Sequence, residues 1–173
     1  MYHRVCIVGT LLSRHQTFRH RPMHDKRRVL FLCSGNSCRS QIAEGFCRHI
    51  WKDVFDCESA GIESQGLNTN AVKVMQEISI DISGHESKTI DELESLSFDY
   101  VITVCGHANE TCPVFPSDTR IIHHGFDDPP RLAAEAHSES EALDHYRRVR
   151  DEIGAFVHDL RRRVAPGRDQ SRQ

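Results

Sequence analysis

Apolar and polar positions along the 173 residues fall into short continuous runs separated by stretches of helical period. Val29–Leu32 is an unbroken apolar run, as expected of a strand covered on both faces. The cluster from Cys33 to Ser40 is rich in small, turn-forming residues. A helical pattern then begins, with Ile42, Phe46, His49 and Ile50 at three- and four-residue spacings. Val54–Ala60, ending at Gly61, predicts a second strand. Asn68 is placed to cap a helix reaching Ile78, with Ala71, Val72, Met75 and Ile78 inward. A short helix is expected over Thr89–Leu96, a third strand over Tyr100–Val104 and a fourth over Arg120–His123. Ser138 opens a long amphipathic helix to about Arg163, with Tyr146, Val149, Ile153, Phe156, Val157 and Leu160 on its inner side.

Strands alternating with helices predict an α/β fold: a four-stranded parallel sheet with helices on both faces, a three-layer sandwich. Ligands of such sheets bind beyond the carboxyl ends of the strands. Three segments meet there: Cys33–Ser40, Cys105–Cys112 and Gly125–Pro130.

Charge divides the chain. Residues 1–28 hold seven Lys and Arg against Asp25 alone, a balance of +6, while the remainder carries 15 basic and 24 acidic residues, −9. The expected organisation is a basic, disordered extension over 1–26, one domain over 27–164 and a disordered tail over 165–173. A net charge of −3 argues against nucleic-acid binding by the whole chain. No apolar run approaches the ~20 residues that span a bilayer, and the order of a secretory signal is absent, so a cytoplasmic protein is expected. Seven cysteines cannot all pair within one chain, which favours thiols used chemically.

Cys33, then five residues, then Arg39 and Ser40 open a helix directly after a strand. Ser34, Gly35, Asn36, Ser37 and Cys38 can turn backbone N–H groups inward as an anion nest, and the helix start adds positive potential. Arg39 offers a planar fork to a tetrahedral oxyanion. Ser40 can donate to Cys33, whose thiolate such a nest favours. These parts describe a nucleophile aimed at a phosphate-like ion. Cys105 and Cys112, seven positions apart, would lie ~10.5 Å apart on a helix, beyond the ~7 Å limit for a disulfide. Joining them requires the segment to unwind. A zinc site drawn from Cys105, His107, Cys112 and His123 or His124 is the competing reading, weakened by the lack of a second paired-ligand motif. Asp128, held extended before Pro129, offers a carboxyl group on a stiff loop. Cys47 and Cys57 read as small core residues, Cys38 as a non-catalytic loop thiol, Cys6 as part of the extension, and His107, His123 and His124 as supporting or surface groups.

The stretch LFLCSGNSCRS over Leu30–Ser40 resembles the low-molecular-weight protein tyrosine phosphatase family, and most of all the thioredoxin-coupled arsenate reductases built on that fold. Gln41–Gly45, Ser59–Ile62, Gly66–Asn68, Asp81–Ser83, Thr103–His107, Gly125–Pro129 and Arg147–Gly154 extend the similarity over roughly residues 27–163. The resemblance implies reduction of arsenate to arsenite, an arsenic-resistance and detoxification activity. Cys33 would be the nucleophile, and Cys105 and Cys112 would pass on a disulfide, first Cys33–Cys105 and then Cys105–Cys112, which thioredoxin reduces. It also implies Arg39 as the oxyanion ligand, Asp128 as the general acid, a monomer, no tightly bound cofactor and no resident metal. Related reductases can hold a potassium ion, and Asn36, Glu44 and Ser59 match positions that help bind it. Glu86 and Lys88 depart from that pattern, where a Thr and an Asp are expected, and the Lys88 ammonium is a fixed charge that could substitute for the ion electrostatically. The alternatives are a phosphatase using Cys33, Arg39 and Asp128, and an arsenate reductase served by another thiol reductant; a weak side activity on phosphate esters is compatible with the reductase.

Overall fold

The protein is described by a computed structural model covering residues 26–164, apart from Leu96 and Thr111. The expected extension before Lys26, with Cys6, and the expected tail from residue 165 lie outside the described residues.

Four parallel strands, β1 (Arg27–Cys33), β2 (Phe55–Gly61), β3 (Tyr100–Thr103) and β4 (Arg120–His123), form one sheet in the order β2-β1-β3-β4. Val29–Cys33 of the central strand β1 are all buried, which accounts for the absence of polar alternation there: both faces are covered. β4 is the short edge strand and remains largely exposed. The ladder continues past the strand ends. Val104 N donates to Leu32 O (2.9 Å), His124 N to Thr103 O (2.9 Å) and Phe126 N to Val104 O (3.1 Å). These bonds bring the loops after β1, β3 and β4 side by side at the carboxyl edge.

Helix α1 (Arg39–Ile50) packs on β1 and β2, and the long helix α5 (Glu139–His158) packs on α1. Trp51 Nε1 ties the end of α1 to Val157 O at 2.8 Å. Helix α2 (Thr69–Gln76) starts where Asn68 Oδ1 accepts from Asn70 N and Ala71 N. Ser138 Oγ likewise accepts from Glu141 N at the start of α5. Such caps are each worth about 1 kcal/mol. Two short helices, α3 (Gly106–Glu110) and α4 (Pro129–Ala133), follow β3 and β4.

Several elements differ from the sequence expectation. The helix expected over Thr89–Leu96 is a single 3-10 turn at Ile90–Glu92: a capping box at Thr89 and Glu92 opens it, and it ends where the backbone becomes extended at Leu93. The long C-terminal helix ends at His158, and Leu160–Arg163 is a separate short helix α6 after Asp159. Cys47 and Cys57 are buried as expected, but they are not independent thiols. They form a disulfide between α1 and β2, with Cα atoms 6.2 Å apart. Closing a loop of this length contributes about 3 kcal/mol through the unfolded chain. Cys47 is 0% and Cys57 2% exposed, which shields the bond from thiol exchange.

Candidate active site

The loop after β1 owes its shape to segment 62–68. Ile62 N donates to Cys33 O, Glu63 N to Ser34 O, Gln65 N to Gly35 O and Asn68 N to Ser37 O, at 2.8–3.2 Å. Gln41 Nε2 takes Asn36 O at 3.0 Å, and Ile42 N takes Cys38 O at 2.9 Å. With its carbonyls satisfied outward, the arc presents its N–H edge inward, the arrangement of an anion nest. Asn36 sits at φ 45°, a left-handed conformation that asparagine tolerates better than most residues. Gly61 closes β2 beneath the arc. A Cβ there would stand 2.7 Å from Asn36 N and 2.9 Å from Ser34 O, so no larger residue fits without moving the loop.

Cys33 lies at the floor, 3% exposed. Its sulfur is 2.9 Å from Ser40 Oγ and 3.2 Å from Asn36 N, both able to donate to a thiolate. Above it a cavity of about 240 Å³ is lined by Cys33, Ser34, Gly35, Ser37, Cys38, Arg39, Gln65, Asp128 and Pro130. At ~30 Å³ per water, it has room for a small tetrahedral oxyanion with some solvent. Gln65 was not expected from the sequence. It reaches the cavity because its own segment binds the loop, a pairing that no local pattern announces.

Arg39 Nη1 donates to Phe126 O at 3.1 Å, and Nη2 pairs with Asp128 Oδ1 at 2.7 Å. The acid and the arginine therefore face each other across the cavity mouth. Asp127, by contrast, pairs outward with Arg148 at 2.8 Å. His124 stacks on Phe156 with ring centroids 4.4 Å apart and meets Phe126 edge-on, so it braces the backbone that holds Arg39. Burial, with help from Arg163 and His123, pulls the His124 pKa below its ordinary value. His123 Nδ1 is 2.9 Å from Thr103 Oγ1. Among the described residues no three His, Cys, Asp or Glu side chains converge as a metal cluster.

Cys105 is 3% exposed at the foot of α3. Its sulfur lies 3.3 Å from the Oγ of Ser34, the residue next to Cys33, and accepts from Ala108 N at 3.4 Å. Cys112 follows α3, half-buried and unpaired. Two residues later Val114 stands 95% exposed. Burial pushes the Cys112 thiol above its ordinary value. Cys38 is buried beside Arg39, and burial drives its thiol far up despite that guanidinium, leaving it protonated and a poor nucleophile.

The cation positions are arranged otherwise than expected. Lys88 does not point at Glu44 and Ser59. Its ammonium pairs with Glu58 at 3.3 Å. Glu58 neighbours Ser59 on β2 and so faces the other side of the sheet. Only the backbone N–H of Lys88 reaches the group, donating to Asn36 Oδ1 at 2.8 Å.

The shift of Cys112 has a measurable consequence. In the reduced protein, iodoacetamide should label Cys112 more slowly than a small free thiol at the same pH. Because the group is held protonated, the rate should still be climbing above its ordinary value of 9.0. Quantitative peptide mapping checks this, and labelling at the rate of a solvated thiol would contradict the half-buried setting.

Comparison with known proteins gives a consistent picture. The family model for low molecular weight phosphotyrosine protein phosphatases matches residues 28–167. An arsenate reductase of Halalkalibacterium halodurans is 52% identical over 133 residues, which are 77% of this chain and 94% of the relative. An arsenate reductase of Bacillus subtilis is 48% identical over 73% of this chain and 88% of its own. Among solved structures, an arsenate reductase in the phosphate binding state aligns with a TM-score of 0.62 at 31% identity, covering 80% of this chain and 99% of that one.

Proposed function

The chain belongs to the low molecular weight phosphotyrosine protein phosphatase family and stands among its arsenate reductases, and from that premise we propose that it reduces arsenate to arsenite by a three-thiol relay regenerated by thioredoxin. The observation that carries the reading is the Cys105 sulfur held against Ser34, one residue from Cys33, with Cys112 at the far end of a five-residue helix. A phosphatase needs the Cys33 loop, Arg39 and Asp128, but no second and third thiol.

Arsenate enters the N–H arc and takes the Arg39 fork. The Cys33 thiolate attacks arsenic. An oxygen leaves as water with a proton from Asp128, and a Cys33–arsenic bond forms. The Cys105 thiolate then attacks the Cys33 sulfur. The sulfur–arsenic bond breaks with its electron pair left on arsenic, which falls from As(V) to As(III) and departs as arsenite. The two electrons gained by arsenic are those lost by the two sulfurs, which are left joined as the Cys33–Cys105 disulfide. Cys112 attacks Cys105, frees Cys33 as thiolate and moves the disulfide to Cys105–Cys112. That transfer requires α3 to unwind, which brings the pair toward the surface around Val114. A dithiol protein of the thioredoxin class reduces it there by two exchange steps and leaves as its own disulfide. The reading fits a cytoplasmic detoxifying enzyme, and no helix among the described residues is long and apolar enough to cross a membrane.

The nucleophile, arginine and acid would also hydrolyse a phosphate ester. The cavity lining contains no aromatic ring to flank an aryl group, so this activity should be weak. Arsenite production from arsenate, with thioredoxin, thioredoxin reductase and NADPH, tests the proposal. Multiple turnovers are expected, and faster than with glutaredoxin or mycothiol systems. Absence of arsenite beside efficient ester hydrolysis would overturn it.

A further inference from the structure

Glu44 is a carboxylate 4% exposed, on α1 beneath the nucleophile loop. Its Oε2 accepts from Ser59 Oγ at 2.6 Å. Ser59 Oγ accepts from Asn36 Nδ2 at 2.8 Å, and the same amide donates to Ser40 Oγ at 3.0 Å. Ser40 Oγ lies 2.9 Å from the Cys33 sulfur. An unbroken chain of hydrogen bonds thus runs from a buried carboxylate to the nucleophile. A buried charge left unpaired is costly, so a carboxylate here calls for a cationic partner.

A monovalent cation does not fit this group. Lys88 N can only donate, so the Asn36 atom facing it is Oδ1, which Gln41 Nε2 also takes at 3.1 Å. The opposite side of the amide is therefore NH₂, turned to Ser40 and Ser59. A donor, not an oxygen, occupies the centre of the cluster, where a hard cation requires converging oxygens. Arg48 supplies the charge instead. One helical turn beyond Glu44, its Nη2 pairs with Glu44 Oε1 at 2.7 Å, and its Nε donates to Cys57 O at 3.1 Å. The guanidinium is thereby fixed to both α1 and β2 at the level of the Cys47–Cys57 disulfide.

We infer that Arg48 is a positioning residue: it carries the charge of Glu44 and, through Ser59, Asn36 and Ser40, holds Cys33 and its loop in place without a monovalent cation. The inference rests on Cys33 as the nucleophile proposed above, and one of its readouts is independent of arsenate chemistry.

The full chain, Arg48→Ala and Arg48→Lys are compared in potassium, sodium and choline chloride at equal ionic strength. Arsenite production and the rate of Cys33 alkylation by iodoacetamide are both measured. The unsubstituted protein should respond to potassium by less than twofold. Arg48→Ala should lose at least tenfold in kcat/KM and severalfold in Cys33 alkylation. Potassium, but not choline, should restore part of both, because Glu44 Oε1 and Cys57 O, the two oxygens that the guanidinium held, can then take the ion in its place, away from the Asn36 amide. Arg48→Lys keeps the charge but not the bond to Cys57 O, and should stay within about fivefold. A severalfold potassium activation of the unsubstituted protein would overturn the inference. So would an Arg48→Ala variant within twofold of it, or a loss that potassium leaves untouched. If Arg48→Ala does not fold, Glu44→Gln/Arg48→Met removes both charges together and should fold; failure of that pair to fold would equally overturn it. Absence of arsenite from the unsubstituted protein sinks the proposed function, while the alkylation arm still decides the role of Arg48.

Discussion

Replacing Cys112 by serine should leave an enzyme that makes about one arsenite per molecule and then stops. In the proposed relay Cys33 and Cys105 supply the two electrons, and Ser34, next to Cys33, stands 3.3 Å from the Cys105 sulfur. Nothing then resolves the Cys33–Cys105 disulfide. Both cysteines are 3% exposed, so a partner protein cannot reach the bond that remains. Rapid-quench measurement of arsenite, followed by peptide mapping, should show a burst equal to the enzyme concentration and a trapped Cys33–Cys105 linkage. Cys105→Ser should release no arsenite at all, because the arsenic adduct meets no second thiolate. Steady turnover by Cys112→Ser with thioredoxin would rule out the relay. Both variants are conservative in volume and lie outside the oxyanion loop, so ester hydrolysis should survive in each. That separates loss of the relay from loss of the fold.

Arg39→Lys should lower kcat/KM for arsenate by roughly two to three orders of magnitude, the usual loss when one preorganised oxyanion donor is removed. In the structure the guanidinium spans the Phe126 carbonyl and the Asp128 carboxylate with two different nitrogens. It is thereby aimed over the Cys33 loop before any anion arrives. An ammonium has one centre and cannot hold both partners while presenting a fork to the oxyanion. Steady-state kinetics with arsenate, and competition by inorganic phosphate, should show the loss in both. A change of less than tenfold would place the oxyanion elsewhere. The packing of α1 should survive, since Arg39 is its first residue and faces the cavity.

Much of this protein was decided locally and is therefore legible in the order of its residues. Val29–Leu32 must be a covered strand because no polar position interrupts it. Asn68 and Ser138 announce helix starts because a side-chain oxygen can satisfy the first free N–H groups. The small residues between Cys33 and Arg39, and the aspartate held extended before Pro129, likewise carry their chemistry within a few positions. What the sequence leaves open are the pairings between elements, which depend on which faces the folded sheet brings together. Cys47 and Cys57 read as two core thiols, yet α1 lies on β2 with their Cα atoms 6.2 Å apart. Lys88 looked like the charge beside Glu44, but its ammonium belongs to Glu58, on the other side of the pleat. Arg48, unremarkable on an exposed helical turn, takes the place instead. The N–H arc over Cys33 is itself tertiary: four of its carbonyls are turned outward by residues 62–68, roughly thirty positions down the chain. Local order thus specified the reactive groups, and the packing of α1, β2 and segment 62–68 determined how they face one another, because hydrogen bonds and ion pairs across elements are settled by geometry that no short stretch of sequence contains.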